Sequence, residues 1–171
     1  MEIKLENAIS IRNWEFSDLT SLINNANNEN ISAFMRDAFP YPYTQTEGLK
    51  WLYEVANNEN STHFAICEND KAIGGIGIII QDDVYRLTAE IGYWLGYSYW
   101  GKKIMTQAVN EFSQYCFNTY NIIRLEAKVY EPNIASQKVL QKCNYVQEGI
   151  LKNNVIKNGK ILNSLLFARL K

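Results

Sequence analysis

Apolar and polar positions change period along this chain, and the changes mark out its elements. Ala8 to Trp14 alternates, with Ile9 and Ile11 set between polar neighbours, which predicts a half-buried strand. Ser17 and Asp18 then precede Leu19, Leu22, Ile23 and Ala26, spaced to share one helical face, so a helix capped by the Ser-Asp pair follows. Asparagine competes with helical hydrogen bonds, and the run from Asn24 to Asn30 predicts the end or interruption of that helix. Ile31 to Arg36 reads as a further short helical turn, and the prolines of Phe39-Pro40-Tyr41-Pro42-Tyr43-Thr44 forbid a regular element there. Thr46 to Ala56 returns to helical spacing, with Leu49, Leu52 and Tyr53 on a shared face.

The next segments read as strands: Thr62 to Glu68 and Ala72 to Gln81, joined by the turn Asn69-Asp70-Lys71, and then Leu87 to Leu95 after a turn at Asp82-Asp83. Glycine weakens a strand, so Gly74, Gly75 and Gly77 predict a bulge or a close approach by another backbone. A long helix runs from about Ile104 towards Tyr120. Strand Ile123 to Tyr130, helix Asn133 to Cys143, strand Tyr145 to Leu151 and a closing strand ending at Leu170 complete the chain, and Asn158-Gly159 signals a hairpin. The pattern predicts one mixed α/β domain over residues 1–171. Its sheet has about seven strands, mostly antiparallel, with parallel pairing where Leu87 to Leu95, the long helix and Ile123 to Tyr130 form a β-α-β unit.

The stretch from Ala89 to Thr106 concentrates the candidate chemistry. A buried strand from Glu90 to Leu95 empties through Tyr99-Trp100-Gly101-Lys102-Lys103 into the long helix. Such a junction offers unpaired amide N–H groups and the positive end of the helix dipole at one point, an anion site to which two lysines add charge. The ordered motifs Trp100-Gly101-Lys102-Lys103-Ile104-Met105-Thr106, long helix, strand, and Pro132-Asn133-Ile134-Ala135-Ser136 opening a second helix resemble the GNAT acetyltransferases. Within that family they resemble the branch that acetylates the N-terminal alanine or serine of ribosomal proteins.

The resemblance implies acetyl-CoA as co-substrate, with the turn wrapping its pyrophosphate. The family pattern there is Arg or Gln, two residues, Gly, one residue, Gly or Ala; this chain has Ser98, Gly101 and Lys103, so the central glycine alone matches. Lysine enters a left-handed conformation at greater cost than glycine, so Lys103 challenges the family's loop geometry. The resemblance further implies that Trp94 and Leu95 present backbone amides to the acetyl carbonyl and pantetheine, and that Asn133 contacts the pantetheine arm. It also implies that Ser136 lies near the sulfur. The cofactor set is then Trp94, Leu95, Trp100, Gly101, Lys102, Lys103, Ile104, Met105, Thr106, Asn133 and Ser136. Glu90 stands where some lysine-directed relatives carry a glutamate base, and the competing reading is a structural ion pair. The general-acid tyrosine that many relatives place seven residues after the asparagine is Leu140 here, a departure that favours the ribosomal-protein branch. Asn144-Tyr145 stands where Gly-Phe is usual, with Asn144 able to take a left-handed C-cap. Phe39, Tyr41 and Tyr43 border the acceptor site by the same resemblance, or form a packed lid over the core.

Charge adds one observation. Residues 1–100 hold 6 Lys+Arg against 14 Asp+Glu, whereas residues 101–171 hold 11 against 4. An asymmetry of this kind suits a polyanionic cofactor on one half and a cationic amine on the other. No strongly basic cluster points to nucleic acid. Cys67, Cys116 and Cys143 are irregularly spaced and odd in number, which predicts neither disulfide framework nor metal site, and the single histidine, His63, reads as structural. The start MEIKLENAISIR lacks the basic and apolar regions of a signal peptide, and no apolar run approaches the roughly 20 residues of a membrane span, so a cytoplasmic enzyme, monomer or homodimer, is expected. The expected reaction is acetyl transfer to a primary amine, a peptide or protein N-terminal α-amine foremost. Polyamines and aminoglycosides are the competing acceptors, and a non-catalytic acyl-CoA-binding module is the competing class.

Overall fold

The structure, a computed structural model, describes all 171 residues. The strands are β1 (Glu2–Lys4), β2 (Ile9–Asn13), β3 (His63–Glu68), β4 (Lys71–Ile80), β5 (Thr88–Leu95), β6 (Arg124–Tyr130), β7 (Val146–Lys157) and β8 (Lys160–Leu170). The helices are α1 (Leu19–Ala26), α2 (Glu29–Ser32), α3 (Gln45–Val55), α4 (Ile104–Thr119) and α5 (Ile134–Lys142). The strands hydrogen-bond in the order β1-β2-β3-β4-β5-β6-β8-β7, giving eight strands where the pattern suggested about seven. The additional one is β1, antiparallel to β2 with Glu2 opposite Arg12. β5 and β6 pair in parallel, Glu90 opposite Glu126, as the β-α-β reading requires.

The chain divides into two compact units, one of residues 1–77 and 93–104, the other of residues 78–92 and 105–171. In the first, Trp14, Leu22, Ala26, Tyr43, Leu52, Val55 and Ala65 are buried together, with Leu19, Phe39, Trp51 and Trp94 packed against them. The helix faces read from the sequence account for Leu22, Ala26 and Leu52. The predicted cap of α1 differs: the Asp18 side chain makes no cap bond. Its carboxylate is instead gripped by both Arg12 guanidinium nitrogens at 2.8 Å and accepts the Glu15 N–H at 2.9 Å. This bidentate pair holds the Arg12 guanidinium firmly protonated, the Asp18 hydrogen bond outweighing burial. The asparagine run ends α1 at Ala26 as expected, and Asn28 then caps α2 by accepting the Asn30 N–H at 2.9 Å.

The register of β3 on β4 shifts between Ile66, opposite Gly74, and Cys67, opposite Ala72, which leaves Ile73 of β4 as the extra residue of a bulge beside the glycines. Gly74 explains a close approach as well, because a Cβ there would lie 2.5 Å from the Trp94 carbonyl oxygen and 3.1 Å from Leu95 Cα. The second unit buries Phe112, Ile122, Leu125, Leu140 and Phe167. There Tyr145 and Ser113 share a hydrogen bond of 2.8 Å between their hydroxyls, which satisfies two polar groups inside the core. Asn144 adopts φ +62° after α5, as a left-handed C-cap should, and Asn158 and Gly159 take φ +50° and +74° at the hairpin.

Candidate active site

The candidate residues fall on both units, and each group is described within its own. In the first unit β5 ends at Leu95, and the backbone N–H of Gly96 donates to Ile73 of β4 at 2.8 Å. A single 3-10 turn over Tyr97–Tyr99 follows, then Trp100 in extended conformation. The Trp100 indole Nε1–H donates to the Leu95 carbonyl at 2.8 Å, tying the turn back onto the strand that precedes it. Gly101 takes φ +78°, Lys103 takes φ +64°, and α4 begins at Ile104. The lysine thus adopts the left-handed conformation that the sequence made costly, and the turn keeps two left-handed positions two residues apart. Gly101, Lys102 and Lys103 are all exposed. Lys102 extends its ammonium over the Tyr99 ring, 4.9 Å from its centre. The first N–H groups of α4 lack intrahelical acceptors by helix geometry, so the corner can hold an anion.

The aromatic candidates separate by burial. Tyr43 is 6% exposed, and its backbone N–H is held by the Asn27 side chain at 2.9 Å. Burial and the neighbouring Glu47 push its phenol up to about 12. Phe39 is half-buried, with its ring centre 5.0 Å from Tyr43 and 5.4 Å from Trp94. Tyr41 is exposed. The structure therefore brings Phe39, Tyr43 and Trp94 together as one wall and leaves Tyr41 apart at the surface. Trp94 lies along β4 because Gly75 carries no side chain, a Cβ there falling 2.7 Å from the indole Nε1. His63 packs edge-on to Trp51 with centres 5.4 Å apart, and burial lowers its pKa against the opposing pull of Glu54.

In the second unit Glu90 leaves β5 on the face of the sheet shared with Glu126 and Lys128 of β6. Its carboxylate accepts from the Lys128 ammonium at 2.7 Å, while Glu126 lies 3.7 Å from the same nitrogen. Glu126 also receives Gln81 and Arg124, and Arg124 forks onto Glu148, whose pKa it lowers through that hydrogen bond. Sequence reasoning missed Lys128. Its signal was the alternation of Arg124, Glu126 and Lys128 within a strand, but pairing it with Glu90 required the parallel register. Asn133 caps α5, its Oδ1 accepting the Ser136 N–H at 3.1 Å, so these two candidates touch each other. Ile104 and Met105 are buried, so at these two positions backbone groups rather than side chains are available to a ligand; Thr106 is half-buried, and its carbonyl accepts from the Cys143 thiol at 3.1 Å.

All three cysteines are free and buried, with burial raising the thiol pKa of Cys67 and of Cys116 to about 12, which makes them inert as nucleophiles. No group of three or more His, Cys, Asp or Glu side chains is placed to hold a metal ion, and no helix is long and apolar enough to cross a membrane.

Residues 9–146 match the model of the acetyltransferase (GNAT) domain family. An uncharacterized N-acetyltransferase, p20, of Bacillus licheniformis is 27% identical over all of this chain and 97% of its own length. A spermidine N(1)-acetyltransferase of Vibrio cholerae is 24% identical, covering 91% of this chain and 89% of its own. A ribosomal-protein-serine acetyltransferase of Escherichia coli is 30% identical, covering 63% and 59%. Among solved structures, a ribosomal L7/L12 α-N-protein acetyltransferase in complex with coenzyme A superposes with a TM-score of 0.85 over 99% of this chain and 98% of that one, at 22% identity, a likeness of fold. With the family model spanning most of its length, the chain belongs to the GNAT acetyltransferase family.

Proposed function

We propose that the protein transfers an acetyl group from acetyl-CoA to a primary amine, the N-terminal α-amine of a peptide or protein. The observation that carries the cofactor half is the turn from Trp100 to Thr106, where two left-handed residues and two lysines lead into the N-terminus of α4. Amide donors, dipole and ammonium charges all favour the pyrophosphate there. Lys103, at φ +64°, keeps a left-handed position where the family pattern has glycine or alanine, which supports the reading.

Direct transfer forms a C–N bond and breaks the thioester C–S bond. The amine must be neutral, the carbonyl polarised, and the departing sulfur given a proton or hydrogen bond. We assign carbonyl polarisation to the backbone amides of Trp94 and Leu95, the pantetheine contact to Asn133 and the hydrogen bond to sulfur to Ser136. Glu90 receives the amine proton, directly or through a water. Its ion pair with Lys128 must loosen for this, and a half-exposed lysine side chain has the freedom to do so. A free α-amine has a pKa near 8 against about 10.4 for lysine, so it asks less of such a base. The Phe39–Trp94 wall and exposed Tyr41 offer apolar surface to the first side chain of the acceptor. Relatives named for ribosomal-protein and for spermidine acetylation support an amine acceptor and frame the competition between chain ends and polyamines. Such an enzyme works in the cytoplasm, where acetyl-CoA and ribosomal proteins occur. Thiol release from acetyl-CoA, measured against peptides with free α-amines, spermidine and an aminoglycoside, tests the assignment. Turnover greatest on the peptides is expected. Turnover confined to polyamine or aminoglycoside refutes the acceptor, and cofactor binding without turnover on any amine refutes the enzyme.

A further inference from the structure

We infer that Tyr97 and Trp100 form a stacking platform for the adenine base of coenzyme A, an inference that rests on the acetyl-CoA reading above. The two rings are exposed, 53% and 41%, and lie against one another with centres 5.1 Å apart and planes inclined at 54°. Two large rings in mutual contact at the surface, followed in the chain by Lys102 and Lys103, match a ligand that joins a flat base to phosphates. Trp100 directly precedes Gly101, so the platform and the phosphate corner belong to one turn. In coenzyme A the base is separated from the pyrophosphate by a single ribose, which also carries a 3′-phosphate. A ligand whose pyrophosphate sits at Gly101 to Ile104 therefore has its base within reach of the residues flanking that corner.

The platform is preorganised. Trp100 is anchored through its one polar atom, the Nε1–H bonded to Leu95 at 2.8 Å, so its π-surface needs no reordering to receive a base. Lys102, drawn over Tyr99 at 4.9 Å, keeps a positive charge on the same turn for the ribose phosphate. Stacking of this type is tolerant of the base's hydrogen-bonding edge, since every base has a π-face.

Calorimetric titration with two ligands separates the two ends of the cofactor: acetyl-CoA, and S-acetyl-4′-phosphopantetheine, which keeps the thioester, the pantetheine and one phosphate but lacks the adenosine with its 3′-phosphate and the second phosphate of the pyrophosphate. Tyr97→Ala is expected to weaken acetyl-CoA binding about 5- to 100-fold, the range of base–aromatic stacking, and to leave the truncated ligand's affinity unchanged. Tyr97→Phe, which keeps the ring, is expected to bind both ligands as the parent does. Tyr97 is exposed, so folding is spared, and an unaltered thermal midpoint verifies that for each variant. An unchanged acetyl-CoA affinity in Tyr97→Ala, or equal losses for both ligands, overturns the platform while leaving the cofactor assignment standing. A parent protein that binds neither ligand overturns the acetyl-CoA reading itself, and the platform with it.

Discussion

Replacing Lys103 by glycine separates two roles that the turn before α4 combines. The lysine sits at φ +64°, where an L-residue carries a cost of about 1–2 kcal/mol through the contact of Cβ with the carbonyl oxygen. Glycine removes that cost but adds about 0.4–1 kcal/mol of freedom to the unfolded chain. The net expectation for Lys103→Gly is a gain of about 0.5–1 kcal/mol, which for a chain of this size raises the thermal midpoint by roughly 1–4 °C. Ligand binding moves the other way. An exposed ammonium near phosphate contributes about 1 kcal/mol at a few ångströms in water, so acetyl-CoA affinity falls about fivefold, less as salt screens the pair. Lys103→Ala is the control, since it loses the same charge but keeps the strained backbone, and so weakens binding equally without the gain in midpoint. Differential scanning calorimetry and titration with acetyl-CoA at two salt concentrations read both effects. A lower midpoint for Lys103→Gly than for Lys103→Ala contradicts the strain argument, and unchanged affinity in both contradicts a phosphate at this corner.

Other expectations follow from single contacts. Gly74→Ala drives a methyl to 2.5 Å from the Trp94 carbonyl oxygen, a backbone atom that cannot swing aside, so a loss of about 1–3 kcal/mol is expected in urea unfolding; a neutral result dismisses the close approach of β4 to β5. Glu90→Gln is expected to lower turnover most at low pH and progressively less as the pH rises towards the α-amine pKa, with acetyl-CoA affinity unchanged; a pH profile identical to the parent's removes Glu90 from the chemistry. The folded state holds His63 below its usual pKa, so the unfolded chain binds the extra proton. Stability is then complete above about pH 6.5 and declines on acidification below it, and His63→Gln reduces that slope. Equal pH slopes in urea midpoints of the parent and His63→Gln argue against this linkage.

Much of the fold was legible because the period of apolar residues survives tertiary packing wherever an element is long or sharply ended. Ile104 opens α4 as read, and the Asn158-Gly159 turn closes β7 on β8 because only residues tolerant of positive φ fit there. β1 was missed, since three residues display no period and gain their hydrogen bonds from β2 alone. β7 was read as ending at Leu151 but extends to Lys157. A bulge between Leu151 and Val155 absorbs Lys152-Asn153-Asn154, which resemble a loop in sequence, and Asn153 there has φ +53°.

Site residues close in sequence were the readable ones. The Gly-Lys turn and the Asn133 cap depend on local backbone preferences. Tyr43 and Tyr41 are equivalent by sequence, and the packing of Tyr43 against Phe39 and the α1–α3 segment decides which is buried. The Glu90–Lys128 pair depends on strand register, which no local pattern encodes.

The position of the acetyl group on product tests the central claim most directly. The protein is incubated with acetyl-CoA and two peptide sets, one with free α-amines and lysines blocked, the other with blocked N-termini and free lysines, with spermidine as a third acceptor. The products are then located by mass. The account predicts the mass gain of one acetyl group replacing a hydrogen, on the first residue of the free α-amine set. Label found only on lysine ε-amines or only on spermidine contradicts it.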